Sequence, residues 1–174
     1  FISASLVSIS MLDNNLTFVT APVTMMLIGT AAGTLPAAFL MRALGRKWGF
    51  AIGSLIGVFG SGVAAYAISI DTFLLFNIGI FLFGMYGGAA QQYRFAAADV
   101  APEHVKAKSV SIVIAMGVVG GIVGPEIVLL TKDAIKAFPF EGTFWALGFL
   151  CLLSGIIVLG VDIPKLNKKE YRNT

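Results

Sequence analysis

Apolar residues run through this chain in long blocks, and short polar clusters separate them. A helix needs roughly 20 mostly apolar residues to cross a bilayer. That ruler divides the chain into one partial and five complete spans. The partial span covers residues 1–11 and is followed by the turn "LDNN". The others run about 17–40, 48–69, 72–94, 109–130 and 143–161, the fourth with a helical extension toward Asp99. The separators are "MRALGRK", Asp71, the hinge "DVAPEHVKAK", the loop "TKDAIKAFPFEG" and a basic tail over 162–174. The pattern predicts a single transmembrane domain over 1–174, all-α and polytopic. The first residues carry neither a starting Met nor a positive flank. They read as the tail of a truncated helix rather than as a signal peptide.

Composition agrees with this reading and excludes several others. Hydrophobic residues make up 57% and charged residues 12%, against about 25% charged in soluble domains. The net charge of +3 would point to nucleic acid only if the basic residues formed a face, and they fall in the connections instead. Arg42, Arg46 and Lys47 follow the second span, Arg94, Lys106 and Lys108 the fourth, and Lys165, Lys168, Lys169 and Arg172 the sixth. Of the twelve basic residues only Lys132 and Lys136 remain for the opposite side. Cytoplasmic loops retain Lys and Arg, so the carboxyl terminus is expected to be cytoplasmic.

The candidate chemistry is sparse. Cys151 is the single cysteine, which excludes an internal disulfide and leaves a small packing residue. No His, Cys and carboxylate set has ligand spacing, so no metal or other cofactor is expected, and His104 reads as a solvated hinge residue. A membrane-embedded enzyme would need clustered Asp, His or Ser, which the spans lack. The stretch "GVVGGIVGPE" is not a phosphate-binding loop, because no strand precedes it and no Gly-Lys-Ser/Thr follows. Within a helix, Gly120 and Gly124 share one face, as do Gly117 and Gly121, and they predict close helix packing. Pro125 cannot donate a backbone hydrogen bond and loosens the turn before it. Glu126 lies inside the fifth span, where an ionisable residue marks a proton or substrate site or else reaches the outer interface.

Further groups stand out. Gly49, Gly53, Gly57, Ser61 and Ala65 repeat every four residues along the third span and predict a packing seam. A looser set, Gly84, Gly87, Gly88, Ala89 and Ala90, lies on the fourth. Gln91, Gln92, Tyr93 and Arg94 cluster at its end, with Gln91 and Arg94 on one side of a continued helix. Asn77 and Tyr86 read as single polar groups that hydrogen-bond between helices.

The loop "AFLMRALGRKWGF" resembles the signature G-x-x-x-D-R-x-G-R-R of the major facilitator superfamily of transporters. Gly45, Arg46 and Lys47 match its final Gly and basic pair, while Ala38, Arg42 and Ala43 replace its first Gly, its acid and the base that follows. Gly120-x-x-x-Gly124-Pro125 is similar to the core of a fifth-helix motif of antiporters in that family. "QQYRFAAADVAPEHVKAKSVS" looks like the fourth-to-fifth connection of its bacterial members.

The resemblance implies the amino-terminal six-helix half of a secondary transporter in a bacterial inner membrane. Such a half moves a small solute by alternating access, with proton coupling open. It implies gating at Gly45, Arg46, Lys47 and Asp99, a pliable fifth helix at Gly120, Gly124 and Pro125, and Gln91 and Arg94 on an inward cavity. The partners implied are the lipid bilayer, an unidentified solute, and a second transporter half: either the chain is a fragment, or it pairs with itself or with another membrane protein. The alternative is a non-transporting membrane subunit that binds a larger complex.

Overall fold

The computed structural model describes residues 2–11, 18–131 and 140–160, and the side chains of Ile2, Ser3, Ser10, Asp99, Val100 and Glu103 fall outside that description. The helices are α1 (Ile2–Met11), α2 (Ala21–Leu44), α3 (Arg46–Ser69), α4 (Phe73–Ala90), α5 (Tyr93–Val100), α6 (Lys106–Thr131) and α7 (Glu141–Gly160). A 3-10 turn, Glu103–Val105, leads into α6. Among the described residues five helices are long and apolar enough to cross a membrane, with α4 and α5 together counting as one. Lys132, Lys136 and the basic tail lie outside the described residues.

The helix ends shift from the expected spans for identifiable reasons. α2 continues past residue 40 to Leu44, and α3 begins one residue later. The whole reversal is made by Gly45, at φ 91° and ψ 160°, a region open essentially to glycine alone. Its carbonyl accepts the Gly49 N–H at 3.0 Å, so α3 is hydrogen-bonded from its first turn. A Cβ built on Gly45 meets nothing within 4 Å, so a substitution there is penalised by the backbone and not by crowding. Gly45→Ala is therefore expected to destabilise the protein by about 1–3 kcal/mol, read as a lower midpoint in a detergent unfolding titration.

At the other end of α3 the turn is a Schellman motif. The Asp71 N–H donates to the Ile68 carbonyl and the Thr72 N–H to that of Ala67, with Asp71 left-handed at φ 51°. These bonds satisfy carbonyls that the helix end would otherwise leave open.

Glycine sets the packing. Along the crossing of α2 and α4, Gly29 faces the backbone of Phe81, Gly33 that of Met85, and Gly84 and Gly88 those of Met26 and Thr30. The α3 stripe meets three neighbours, α2, α4 and α7. Gly49 abuts Met41, Gly53 abuts Ala89, and Gly57 lies under the Tyr86 ring and the Cys151 Sγ, while Ser61 and Ala65 are fully buried. On the α7 side, Gly148 packs on Ser61 and Gly155 on Ser54.

Two apolar clusters complete the bundle. One joins Val7, Ala64, Ile68, Phe76, Ile80 and Phe144, with Phe76 and Phe144 edge to face at 5.4 Å. The other lies at the basic end and joins Phe50, Ala96 and Val158, with Met41 and Tyr93 against them.

The fifth apolar span departs from expectation. α6 has no buried residue, and a Cβ on Gly117, Gly120, Gly121 or Gly124 would meet nothing within 4 Å. The close packing expected of that face is not made among the described residues, where α6 touches mainly α5, the turn before it and α7. Its far end is tied by the Thr131 hydroxyl, which donates to Thr143 Oγ1 at 3.2 Å.

Candidate functional site

The expected site residues fall in separate regions. The basic end carries the α2–α3 reversal and the α4–α5 junction. Arg46 and Lys47 are half-buried beside Gly45, and Trp48 is exposed. The fourth span does extend helically beyond Arg94, but through a tightened joint at Gln91 and Gln92. There the Gln91 N–H donates to the Gly87 carbonyl at 3.2 Å and the Gln92 N–H to that of Ala89 at 3.0 Å. The second bond spans three residues and not four, which draws the chain into a 3-10-like turn.

Beyond the joint α5 is mounted firmly. The Tyr93 ring stacks on Phe50 with centroids 4.1 Å apart and planes 9° from parallel. Its hydroxyl shares a hydrogen bond with Ser154 at 3.3 Å, and Ala96 is buried below. Gln91, Arg94 and Phe95 face outward from this mount. The Arg94 guanidinium carbon lies 5.1 Å from the Phe95 ring centroid, within cation–π range. Asp99 is in the last turn of α5, and its side chain lies outside the described residues.

Glu126 stands apart from this end. It follows Pro125 in α6, which remains helical through the proline, and it is exposed. Twenty residues of helix from Lys106 put it about 30 Å away along the axis. Gln91 and Arg94 therefore belong to one end of the span and Glu126 to the other, and α6 cannot bring them into one site. Gly120, Gly124 and Pro125 precede Glu126 within two turns of the same helix, and a Cβ on either glycine meets nothing within 4 Å among the described residues.

The polar groups inside the bundle are arranged differently from expectation. Asn77 was expected to bond between helices, but its Nδ2–H donates to the Phe73 carbonyl of its own helix at 2.8 Å. Its Oδ1 and the Ser54 hydroxyl are buried with no hydrogen-bond partner. Tyr86 does reach across helices, lying between Gly57 and Cys151 with Ser154 alongside. Two hollows on the surface of α3 are lined mainly by apolar residues such as Leu55, Phe59 and Phe149 and contain none of the candidate residues. Sequence reasoning passed over Gly29 and Gly33, whose four-residue spacing was visible, and Phe95, which follows Gln91 by one helical turn.

Known proteins place this arrangement. The family model described as Major Facilitator Superfamily matches residues 1–173. A riboflavin transporter of Brucella anthropi is 39% identical over 90% of this chain. An uncharacterized MFS-type transporter of Bacillus subtilis is 29% identical over 81%, and a galactose-proton symporter of Escherichia coli is 26% identical over 80%. The chain spans 39%, 34% and 28% of the lengths of these three relatives. No solved structure gives a significant match. Family match, membrane-length helices and glycine-mediated packing agree, and the chain belongs to the major facilitator superfamily of transporters.

Proposed function

We propose that this chain is one helical half of a secondary transporter that carries riboflavin or a close relative across a bacterial inner membrane, coupled to protons through Glu126. The observation that carries the substrate reading is the 39% identity to a riboflavin transporter over 90% of the chain, against 26% to the sugar symporter. The basic end is the cytoplasmic one, in keeping with Lys and Arg retention there. A second helical half covers the open face of α6 and completes the solute cavity between the halves. Gly45, Arg46, Lys47 and Asp99 work as the cytoplasmic gate, and Gly120, Gly124 and Pro125 let α6 bend as the halves rock.

The test is uptake by bacteria that can neither make nor import riboflavin, expressing the complete transporter. Saturable riboflavin accumulation and growth on low riboflavin are expected, with no galactose accumulation. Absence of riboflavin uptake by protein that reaches the membrane would overturn the substrate reading.

A further inference from the structure

We propose that Gln91, Arg94 and Phe95 form a recognition patch for the imide edge and flat face of the isoalloxazine ring, an inference that rests on the substrate reading above. The three residues sit at i, i+3 and i+4, a spacing that puts side chains on one helical face. All three are exposed, while Gln92 and Tyr93 between them are half-buried. The mount beneath is rigid: Tyr93 is stacked on Phe50 and hydrogen-bonded to Ser154, and Ala96 is buried. Binding groups carried on such a supported element hold their geometry better than groups on a loop.

The chemistry of the three fits one edge of the solute. An isoalloxazine presents an N3–H between two carbonyls. The Gln91 carboxamide has an acceptor and a donor side by side, so Oε1 can take the N3–H while Nε2–H donates to a flanking carbonyl. Arg94 has donors only and serves the remaining carbonyl. Its guanidinium lies over Phe95 at 5.1 Å, and Phe95 keeps 52% of its surface exposed, which leaves an aromatic face for stacking. A hexose has no π face and no planar edge with a fixed acceptor–donor–acceptor order, since each of its hydroxyls both donates and accepts, so the patch favours a flavin over a sugar.

Riboflavin and N3-methylriboflavin uptake by the complete transporter test this directly, with each variant matched for its level in the membrane. In the unaltered protein N3-methylation should raise KM about tenfold, the effect of losing one well-placed pairing. In Gln91→Ala the KM for riboflavin should rise and the difference between the two flavins should vanish. That comparison is made within one protein and is independent of how much of it folds. Phe95→Leu should raise KM about tenfold and Phe95→Trp should keep it near the original value, since stacking on an aromatic face is worth a factor of this order.

If the unaltered protein moves no riboflavin, the substrate reading falls and this patch with it. If it does, and Gln91→Ala still discriminates against N3-methylriboflavin, the patch alone is overturned. A Phe95→Leu protein with unchanged KM would overturn it too.

Discussion

Gly33→Val is expected to cost about 3 kcal/mol or more of folding free energy, at or above the upper end of the usual penalty for overpacking. A Cβ at this position would lie 2.5 Å from the Met85 carbonyl oxygen and 2.6 Å from Met85 Cα. Both are backbone atoms, so no rotamer change relieves the clash and the two helices must separate. Separation would also loosen Gly29 against Phe81 and Gly88 against Thr30, which share the crossing. Lipid supplies no hydrophobic drive to bring these helices together, so their close backbone approach accounts for much of the contact energy. The measurement is reversible unfolding in mixed detergent micelles, with Gly62→Ala as control. Gly62 is also helical, but a Cβ there meets nothing within 4 Å. The control should be neutral or slightly stabilising through better helix propensity. Equal stability of the two variants would rule out so close a crossing.

Glu126→Gln is expected to abolish solute-driven proton movement while leaving solute exchange intact. An ionisable group within a span is costly unless it faces water or a partner, and this one lies on a helix with no residue buried against the other described residues. Glutamine keeps the shape and hydrogen-bonding capacity of the side chain but carries no exchangeable carboxyl proton. In proteoliposomes a riboflavin gradient should drive acidification of the lumen in the unaltered protein and not in the variant. Counterflow, in which labelled and unlabelled solute exchange without net proton transfer, should persist and report that the variant is folded. Unchanged proton flux in Glu126→Gln would remove this residue from the coupling mechanism.

The membrane spans were legible because apolar length decides them, and tertiary contacts alter only their ends. The third-span stripe was legible for a similar reason, since a four-residue repeat of small side chains is a surface that permits close approach. The same repeat in the fifth span shows the limit of that logic. Gly120 and Gly124 have the spacing of Gly53 and Gly57, yet the Gly53 and Gly57 pair lies against Ala89 and Tyr86 and the other pair against nothing among the described residues. Spacing specifies a face and not its occupant. The joint at Gln91 and Gln92 was invisible because neither residue breaks helices, and only the shortened Gln92–Ala89 bond reveals it. The grouping of Gln91 with Arg94 was readable from helical period, whereas the aromatic neighbour under the guanidinium needed coordinates.

The one-residue reversal at Gly45 also bears on the order in which the bundle is assembled. A connection this short closes with almost no loss of chain entropy, so α2 and α3 meet as a hairpin through local contacts, the kind that form fastest. α4 packs against both of them, which makes the hairpin a template already waiting when the fourth span arrives. α6 finds no such template among the described residues.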